Sequence, residues 1–327
     1  MEITKIYQPS EVDQAAREIQ LGELIAFPTE TVYGLGADVN NEKAVLRVFQ
    51  AKNRPADNPL NVTVANSEMV KKYVNQINDW GQKLIQNFWP GPLTLIFKIK
   101  SGSLPKVVTG GLTTAAFRCP DNKVTLELIE KAGTPIVGPS ANTSGKPSPT
   151  SAQHVFHDME GKIAGIIDDG PTAVGMESTI IDLTGDTPVI VRPGAISTTE
   201  IEKVLGMPIK MKKQASAEKY KHYNPNANVM MVSDSDWSDA IKWASQQMNI
   251  GIMATTNIIK KVPENVITYD LGENINSASR KFFAGIRELD SKGVDTILVQ
   301  QFPEIGLGEA YMNRLRKASA DQMWQLK

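Results

Sequence analysis

The sequence is poor in the residues that most nucleophilic and metal-dependent sites require. It has one cysteine, Cys119, and three histidines, His154, His157 and His222. A single cysteine excludes an internal disulfide and a zinc site built from cysteines. His154 and His157 have a spacing that is compatible with metal binding on a helix, but no third ligand accompanies them, so we expect both on the surface. No Ser/His/Asp set is evident, and we therefore predict no covalent enzyme intermediate.

Long apolar runs and a large charge excess are also absent. No run approaches the length that spans a bilayer, and the first residues, M-E-I-T-K-I-Y-Q-P, do not form a secretion signal. Together with the single cysteine, this predicts a cytoplasmic location without membrane partners. Residues 1–209 hold 19 Lys and Arg against 23 Asp and Glu, a net charge of −4. That balance argues against binding dominated by nucleic-acid phosphates.

The order of predicted elements indicates an α/β protein with two domains. At 327 residues the chain is long enough for two cores. Helices and strands are mixed without strict alternation up to residue 209, which predicts an open, twisted mixed sheet. Residues 210–228 are polar and resemble a linker. Residues 229–327 alternate more regularly, which predicts a smaller Rossmann-like αβα domain; without G-x-G-x-x-G after a strand, this shape does not imply dinucleotide binding.

What the sequence does contain is a series of polar loops. They are F-P-T-E-T-V-Y-G-L-G from residue 27, A-K-N-R-P-A-D-N-P-L from 51, G-P-S-A-N-T-S-G-K-P-S-P-T from 138, G-M-E-S-T-I-I-D from 175 and V-R-P-G from 191. Glycine and proline fix unusual turns, and such loops carry function more often than packing. Hydroxyls, amides and cations are the donors that phosphates and carboxylates bind. We interpret the loops as parts of a site for a nucleotide and a small amino acid.

Each motif also has a structural interpretation when it is taken alone. Lys52 and Arg54 can reach one cleft as a point charge and a planar fork, or they can be solvated charges that stabilise a helix dipole. Ser140 and Asn142 can face one ligand from an extended loop. For an isolated S-A-N, however, local turn capping is the simpler explanation. The motifs therefore support a functional site only when they are considered together.

In combination and in this order, the motifs resemble the threonylcarbamoyl-AMP synthase family in its long two-domain form. The resemblance continues in K-Y-K-H-Y-N-P from residue 219 and in G-L-G-E-A-Y-M-N-R-L-R-K-A-S from residue 306. It implies a YrdC-like catalytic domain over residues 1–209, a linker or lid over 210–228 and a Rossmann-like C-terminal domain over 229–327. The implied enzyme is a nucleotidyltransferase. It makes threonylcarbamoyl-adenylate and pyrophosphate from L-threonine, bicarbonate or carbon dioxide, and ATP with Mg²⁺.

The resemblance also assigns roles to individual side chains. The implied catalytic residues are Lys52 and Arg54. The residues implied to bind L-threonine are Thr31, Arg118, Ser140 and Ser178. Those implied to bind ATP are Arg54, Asn58, Thr114, Asn142, Thr150, Arg192 and Tyr220, while His222 and Tyr223 would belong to the lid. No metal site of the protein itself is implied, because ATP carries the Mg²⁺. For Arg118 and Arg192 alone, a structural ion pair is the alternative.

One position departs from the family pattern. Where the family usually has histidine in N-P-L-x-V-H, this chain has Thr63 in N-P-L-N-V-T. A hydroxyl can keep a hydrogen bond but cannot carry a positive charge. This departure leaves an inactive ATP- or threonine-sensing scaffold as one alternative. A second alternative is an RNA-binding module, because the family of the catalytic domain that the chain resembles has been associated with nucleic acid. The product would serve N6-threonylcarbamoyladenosine modification of tRNA by a downstream threonylcarbamoyl transferase complex, with weak or no direct tRNA binding.

Overall fold

The computed structural model describes residues 3–212 and 223–325, which form two compact units. The first holds the described residues of 1–144, 148–173 and 177–214. The second holds 145–147, 174–176 and the described residues of 215–327. Both units combine helices with β-sheets, so the predicted α/β class is confirmed. No helix in the described residues is long and apolar enough to cross a membrane.

The first unit contains short strands and helices joined by the polar loops. Its helices are α1 Val12–Gln20, α2 Glu42–Lys52, α3 Ser67–Lys71, α4 Asp79–Phe88, α5 Lys106–Thr109, α6 Lys123–Ala132, α7 Ala152–Met159 and α8 Thr198–Leu205. Its strands are β1 Lys5–Tyr7, β2 Ile25–Phe27, β3 Gly34–Gly36, β4 Val62–Thr63, β5 Leu93–Lys98, β6 Thr114–Arg118, β7 Ile136–Val137, β8 Gly165–Ile167, β9 Thr179–Asp182, β10 Val189–Arg192 and β11 Lys210–Met211.

Two sheets organise the first unit, and both mix parallel with antiparallel pairs. One has the order β11-β10-β9-β5-β6-β4-β7, and the other has the order β1-β8-β2-β3. The strand at Lys210–Met211 lies inside the segment predicted as a linker. Its two residues are exposed and pair only with β10, so no apolar run marks the strand in the sequence. The domain boundaries at 209 and 228 remain predictions.

Helix ends in the first unit follow local sequence signals. The side chain of Asn41 accepts the backbone N–H of Ala44 at the start of α2, which satisfies one of the donors that a helix leaves unpaired. The same helix ends at Lys52, because Asn53 adopts a left-handed conformation with φ of 51°. This break makes Lys52 the last helical residue and turns Arg54 away from the helix.

The second unit is a parallel α/β layer, as expected of a Rossmann-like domain. Its strands are β12 Asn228–Val232, β13 Ile250–Ala254, β14 Ile267–Asp270 and β15 Thr296–Gln300, in the order β12-β15-β13-β14. Its helices are α9 Trp237–Ala244, α10 Thr256–Ile259, α11 Ile275–Ser291 and α12 Leu307–Ser319. The sequence analysis did not predict β14. This edge strand is only half-buried along its length and lacks the apolar run of a central strand.

Candidate functional site

The first unit brings half of the predicted site residues into three hydrogen-bonded groups. The Arg118 group consists of Thr29, Glu30, Thr31 and Arg118. The Lys52 group consists of Lys52, Ser140, Asn142, Thr143 and Asp158. The Arg192 group consists of Thr94, Ser178 and Arg192. Each group joins segments that are far apart in the sequence.

Central strands of the larger sheet bring part of this site together. Thr94 on β5 lies opposite Arg118 on β6, and Arg118 lies opposite Thr63 on β4. Side chains that pair across neighbouring strands share a face and are about 5 Å apart. Arg118 therefore lies between two threonines on one face of the sheet. Thr114 starts the same strand on the same face, about 13 Å away along the strand.

The turn between β2 and β3 presents Thr31 to Arg118. The Thr29 hydroxyl donates to the carbonyl of Val32 (2.6 Å) and accepts the N–H of Thr31 (3.1 Å), and the two threonine hydroxyls are 2.9 Å apart. Because the only hydroxyl proton of Thr29 is used on Val32, the Thr31 hydroxyl donates to Thr29. The Thr31 oxygen then accepts from Nη1 of Arg118 at 2.8 Å.

Arg118 also forms a buried ion pair with Glu30, a partner that the sequence analysis did not name. Its Nη2 donates to Oε2 of Glu30 at 2.6 Å, and each side chain is only 9% exposed. Its Nε donates to the carbonyl of Gly91 at 3.4 Å. Oε1 of Glu30 is buried and has no hydrogen-bond partner among the described residues. The structural ion pair that was the alternative for Arg118 is thus formed. The role of Arg118 in binding threonine remains a prediction.

Lys52 links the two motifs that were predicted to act together. Its Nζ donates to the backbone carbonyls of Ser140 and, at 2.6 Å, Asn142, while its own carbonyl accepts the N–H of Ser144 at 2.8 Å. The side chain is 2% exposed, so it is not a solvated charge at a helix end. Burial, reinforced by the nearby charge of Arg54, lowers the pKa of Lys52 to about 7.

Asp158, on α7, is a further member of this group. Its Oδ2 accepts the N–H of Thr143 at 3.1 Å, and its negative charge opposes the fall in the pKa of Lys52. Asp158 was not predicted as a site residue. The feature that could have indicated its role is its position beside Met159 on the buried face of α7, because a buried carboxylate requires a partner.

Arg54 lies beside the Lys52 group and is half-buried. Its Nε donates to the carbonyl of Asn58 (3.4 Å) and its Nη2 to the carbonyl of Pro59 (3.1 Å). The predicted pair of Arg54 and Asn58 is therefore close in space, although the contact uses the backbone of Asn58. A guanidinium held in this way by carbonyls keeps its positive charge, which suits an anionic ligand.

The Arg192 group joins two of the glycine-containing loops. Nη2 of Arg192 donates to the carbonyl of Ser178 at 2.8 Å and approaches its hydroxyl at 3.3 Å. That hydroxyl is 2.8 Å from the hydroxyl of Thr94. A Cβ at Gly194 would lie 2.3 Å from the backbone of Ser178, so only glycine allows this approach. Thr94 therefore connects this group with the strand of Arg118.

Thr63 and Thr150 are both buried and pack closely against neighbouring residues. A Cβ at Gly138 would lie 2.1 Å from the Thr63 hydroxyl, so this threonine packs directly against the start of the S-A-N loop. The Thr150 hydroxyl is 3.3 Å from Nδ1 of His154. His154 is half-buried, because its ring packs back on Thr150, so it is less exposed than the predicted surface placement suggests. His157 is exposed, as predicted.

Of the three predicted site residues in the linker segment, the structure describes only Tyr223. Tyr220 and His222 lie outside the described residues. Tyr223 belongs to the second unit, where its ring is 7% exposed and packs on Phe283 with 5.1 Å between ring centroids. Its part in a lid remains a prediction. Among the described residues, no group of three or more His, Cys, Asp or Glu side chains is arranged to hold a metal ion.

Comparisons with known proteins cover nearly the whole chain. The Sua5/YciO/YrdC family model, described as "Telomere recombination", matches residues 17–194, and the model described as "Threonylcarbamoyl-AMP synthase, C-terminal domain" matches residues 196–320. The chain is 44% identical over 323 residues to the threonylcarbamoyl-AMP synthase of Pyrococcus abyssi, with 93% of each chain covered. It is 39% identical over 328 residues to that of Bacillus subtilis, with 96% of this chain and 94% of the relative covered.

A solved structure agrees with this similarity. The crystal structure of Sua5 from P. abyssi complexed with L-threonine superposes with a TM-score of 0.92 at 40% identity. The match covers 99% of this chain and 100% of that chain. The similarity therefore includes both units and is not confined to the polar loops.

Proposed function

Because the chain belongs to the threonylcarbamoyl-AMP synthase family, we propose that it makes threonylcarbamoyl-adenylate and pyrophosphate from L-threonine, bicarbonate or carbon dioxide, and ATP. The observation that carries the proposal is the bond from Lys52 to the carbonyls of Ser140 and Asn142. It joins the K-x-R and S-x-N motifs into one structural element although they are about 90 residues apart. This contact supports a single binding site to which both motifs contribute.

The reaction that this site supports is adenylyl transfer, the chemistry of a nucleotidyltransferase. The carbamate formed on the amine of threonine would attack the α-phosphorus of ATP, and pyrophosphate would leave. Holding two anions side by side and stabilising charge on the phosphate supply most of the rate enhancement in such reactions. Arg118 and Thr31 would hold the amino acid, while Arg54 and Arg192 would bind phosphate oxygens.

Lys52 would act mainly on the shape of the site. An ammonium has three donors, and two of them are directed at the carbonyls of the S-x-N loop. Lys52 thus positions Ser140 and Asn142 and has one remaining donor for the substrates. Arg54, which is half-buried, is the better candidate for direct phosphate contact.

Mg²⁺ would arrive with ATP. The donor set of the site consists of cations, amides and hydroxyls, which bind some phosphate oxygens and leave others to a metal ion. Bound Mg²⁺ would neutralise charge on the phosphates. A cytoplasmic location, service to tRNA modification through a downstream transferase and little direct tRNA binding remain predictions.

The decisive experiment measures pyrophosphate release by the full-length protein. Release that requires L-threonine, bicarbonate and ATP together supports the synthase, whereas binding without release indicates a sensor. Salt-dependent RNA binding with no substrate-dependent release would favour the RNA-binding alternative.

Arg54→Ala should reduce the rate of this release by about 30- to 1,000-fold, because one charge-assisted contact in a dry site contributes about 2–4 kcal/mol to transition-state stabilisation. Lys43→Ala is the control, since Lys43 is an exposed cation on α2, the helix that ends just before Arg54. Near-normal turnover by a folded Arg54→Ala protein would remove Arg54 from the catalytic residues.

The amino-acid preference provides a second measurement. A missing methyl group should cost about 1–3 kcal/mol, whereas an unpaired buried polar group can cost more. We expect L-serine to be a poor substrate and L-valine a worse one. Equal rates with all three amino acids would contradict a pocket formed by Thr31, Ser140 and Ser178.

A further inference from the structure

Glu30 is the one acid in the Arg118 group, and none of the roles assigned above explains its geometry. Its carboxylate is about nine-tenths buried, and Oε2 accepts from Nη2 of Arg118 at 2.6 Å. Oε1 is buried without a hydrogen-bond partner among the described residues. Leaving a buried carboxylate oxygen unpaired is costly. Such an atom therefore indicates a missing donor at this position.

The donors of Arg118 indicate what lies next to that position. A guanidinium has five N–H groups, and in the described residues Nε, one N–H of Nη1 and one of Nη2 bind Gly91, Thr31 and Glu30. One N–H on each terminal nitrogen is left for a ligand. Two donors on a planar fork match the two oxygens of a carboxylate.

Charge balance then selects the kind of ligand. Arg118 and Glu30 already neutralise each other, so a ligand with only a carboxylate would bring an uncompensated negative charge into a buried site, which is strongly unfavourable. An amino-acid zwitterion avoids this, because its ammonium supplies the donor that Oε1 lacks. We propose that Glu30 binds the α-ammonium group of the amino-acid substrate through Oε1, while Arg118 binds its α-carboxylate.

This assignment rests on the proposed function and makes Glu30 a specificity-determining residue for it. The Arg118–Glu30 pair would select free α-amino acids over 2-hydroxy acids of the same shape. It would also hold the amine, the atom that must become the carbamate, at a defined place beside Arg118. The conformation of the turn at Thr29 supports this, because its hydrogen bonds fix Glu30 between two anchored threonines.

The test compares two ligands by isothermal titration calorimetry on the full-length protein. L-Threonine is one, and the other is (2S,3R)-2,3-dihydroxybutyrate, in which a hydroxyl replaces the amine. The wild-type protein should prefer threonine. In Glu30→Gln, threonine affinity should fall about 10- to 100-fold, as expected for the loss of a hydrogen bond between charged groups, while the hydroxy acid should bind equally well or better.

Two further variants control for structural effects. Glu23→Gln removes the carboxylate from another ion pair of the first unit, 2.6 Å from Arg47, and should leave both affinities unchanged. Glu30→Asp keeps the charge on a shorter side chain and should retain the preference for the amine at reduced affinity, even where Glu30→Gln folds poorly. Thermal unfolding of each variant reports on folding.

The outcomes separate this assignment from the proposed function. An unchanged ratio of the two affinities in Glu30→Gln, with normal threonine binding by the wild type, overturns the assignment alone and makes Glu30 a structural counterion. Tighter threonine binding by Glu30→Gln also overturns it, because Glu30 would then compete with the substrate for Arg118. Failure of the wild-type protein to bind threonine overturns both.

Discussion

The two buried cations of the candidate site are held by different kinds of partner. Arg118 faces a carboxylate, that of Glu30, together with the Thr31 hydroxyl. Lys52 faces the carbonyl dipoles of Ser140 and Asn142. Both side chains are largely removed from water. The first cation thus has a full counter-charge in direct contact, and the second has only partial charges.

This difference gives the two cations different behaviour near neutral pH. A guanidinium stays protonated in proteins, and its ion pair makes Arg118 a permanent anchor. Lys52 has a pKa of about 7 because of burial and the charge of Arg54, so its charge changes in the range where the protein would work. The Arg118 group is therefore suited to constant recognition, and the Lys52 group responds to pH and to neighbouring charges.

The largest expected effect comes from breaking the buried ion pair. Arg118→Met leaves the Glu30 carboxylate buried without its partner and should lower the free energy of unfolding by about 3–5 kcal/mol. Arg47→Met, which breaks the more exposed pair with Glu23, should cost about 0–1 kcal/mol. Urea unfolding of both variants measures the difference.

A double variant sharpens this first prediction. In Arg118→Met with Glu30→Leu, both charges are removed, and most of the lost stability should return. Equal losses in Arg118→Met and Arg47→Met would show that the Arg118 pair is no more desolvated than a surface pair.

Lys52→Met should change how the stability of the protein depends on pH, because Lys52 titrates near neutral pH. The pKa of Lys52 is about 7 in the folded protein, against an ordinary value of 10.5. Between these values the unfolded state binds more protons, so wild-type stability should rise with pH relative to the variant. The slope should be at most about 1.4 kcal/mol per pH unit, and the difference should be flat below about pH 7.

Urea unfolding of the wild type and Lys52→Met at several pH values between about 6 and 10 measures this slope. The variant also leaves the carbonyls of Ser140 and Asn142 without their donor, which lowers its stability at every pH and does not affect the slope. A pH-independent difference between the two proteins would contradict the lowered pKa of Lys52.

Asp158→Asn should produce a smaller change, a shift in the pH at which Lys52 titrates. The negative charge of Asp158 raises the pKa of Lys52, so its removal should lower that pKa further. The pH at which Lys52-dependent stability begins to rise should move down. An asparagine oxygen can still accept the N–H of Thr143, so the loop should keep its contact. Glu160→Gln, at an exposed acid just after α7, is the control and should move nothing.

The smallest effect is expected at Thr63, which neighbours Arg118 across the sheet. Thr63→Val removes the hydroxyl with little change in volume. If that hydroxyl makes one ordinary hydrogen bond to the amino acid, the KM for L-threonine should rise less than about tenfold, corresponding to about 0.5–1.5 kcal/mol. Complete loss of threonine binding by a folded variant would make Thr63 a principal contact.

Local sequence patterns predicted much of the fold. The strands Thr114–Arg118, Val189–Arg192, Ile250–Ala254 and Thr296–Gln300 coincide with short, mainly apolar runs of the sequence. The strand Gly34–Gly36 lies within a segment described above as a polar loop, because glycine has low strand propensity, and it pairs with β2. Strands with several apolar side chains are therefore easier to recognise in the sequence than a strand made mostly of glycine.

The sequence by itself determined the composition of the site. Its loops of glycine, proline, hydroxyls and cations predicted a polar binding site, and the order of the motifs indicated the family. Only the tertiary structure decided which partner each charge has. Glu30 meets Arg118 across 88 residues, and Lys52 meets Asn142 across 90. Neither contact leaves a periodic signal in the sequence, because burial and pairing of a charge depend on which strands and loops become neighbours in the folded sheet.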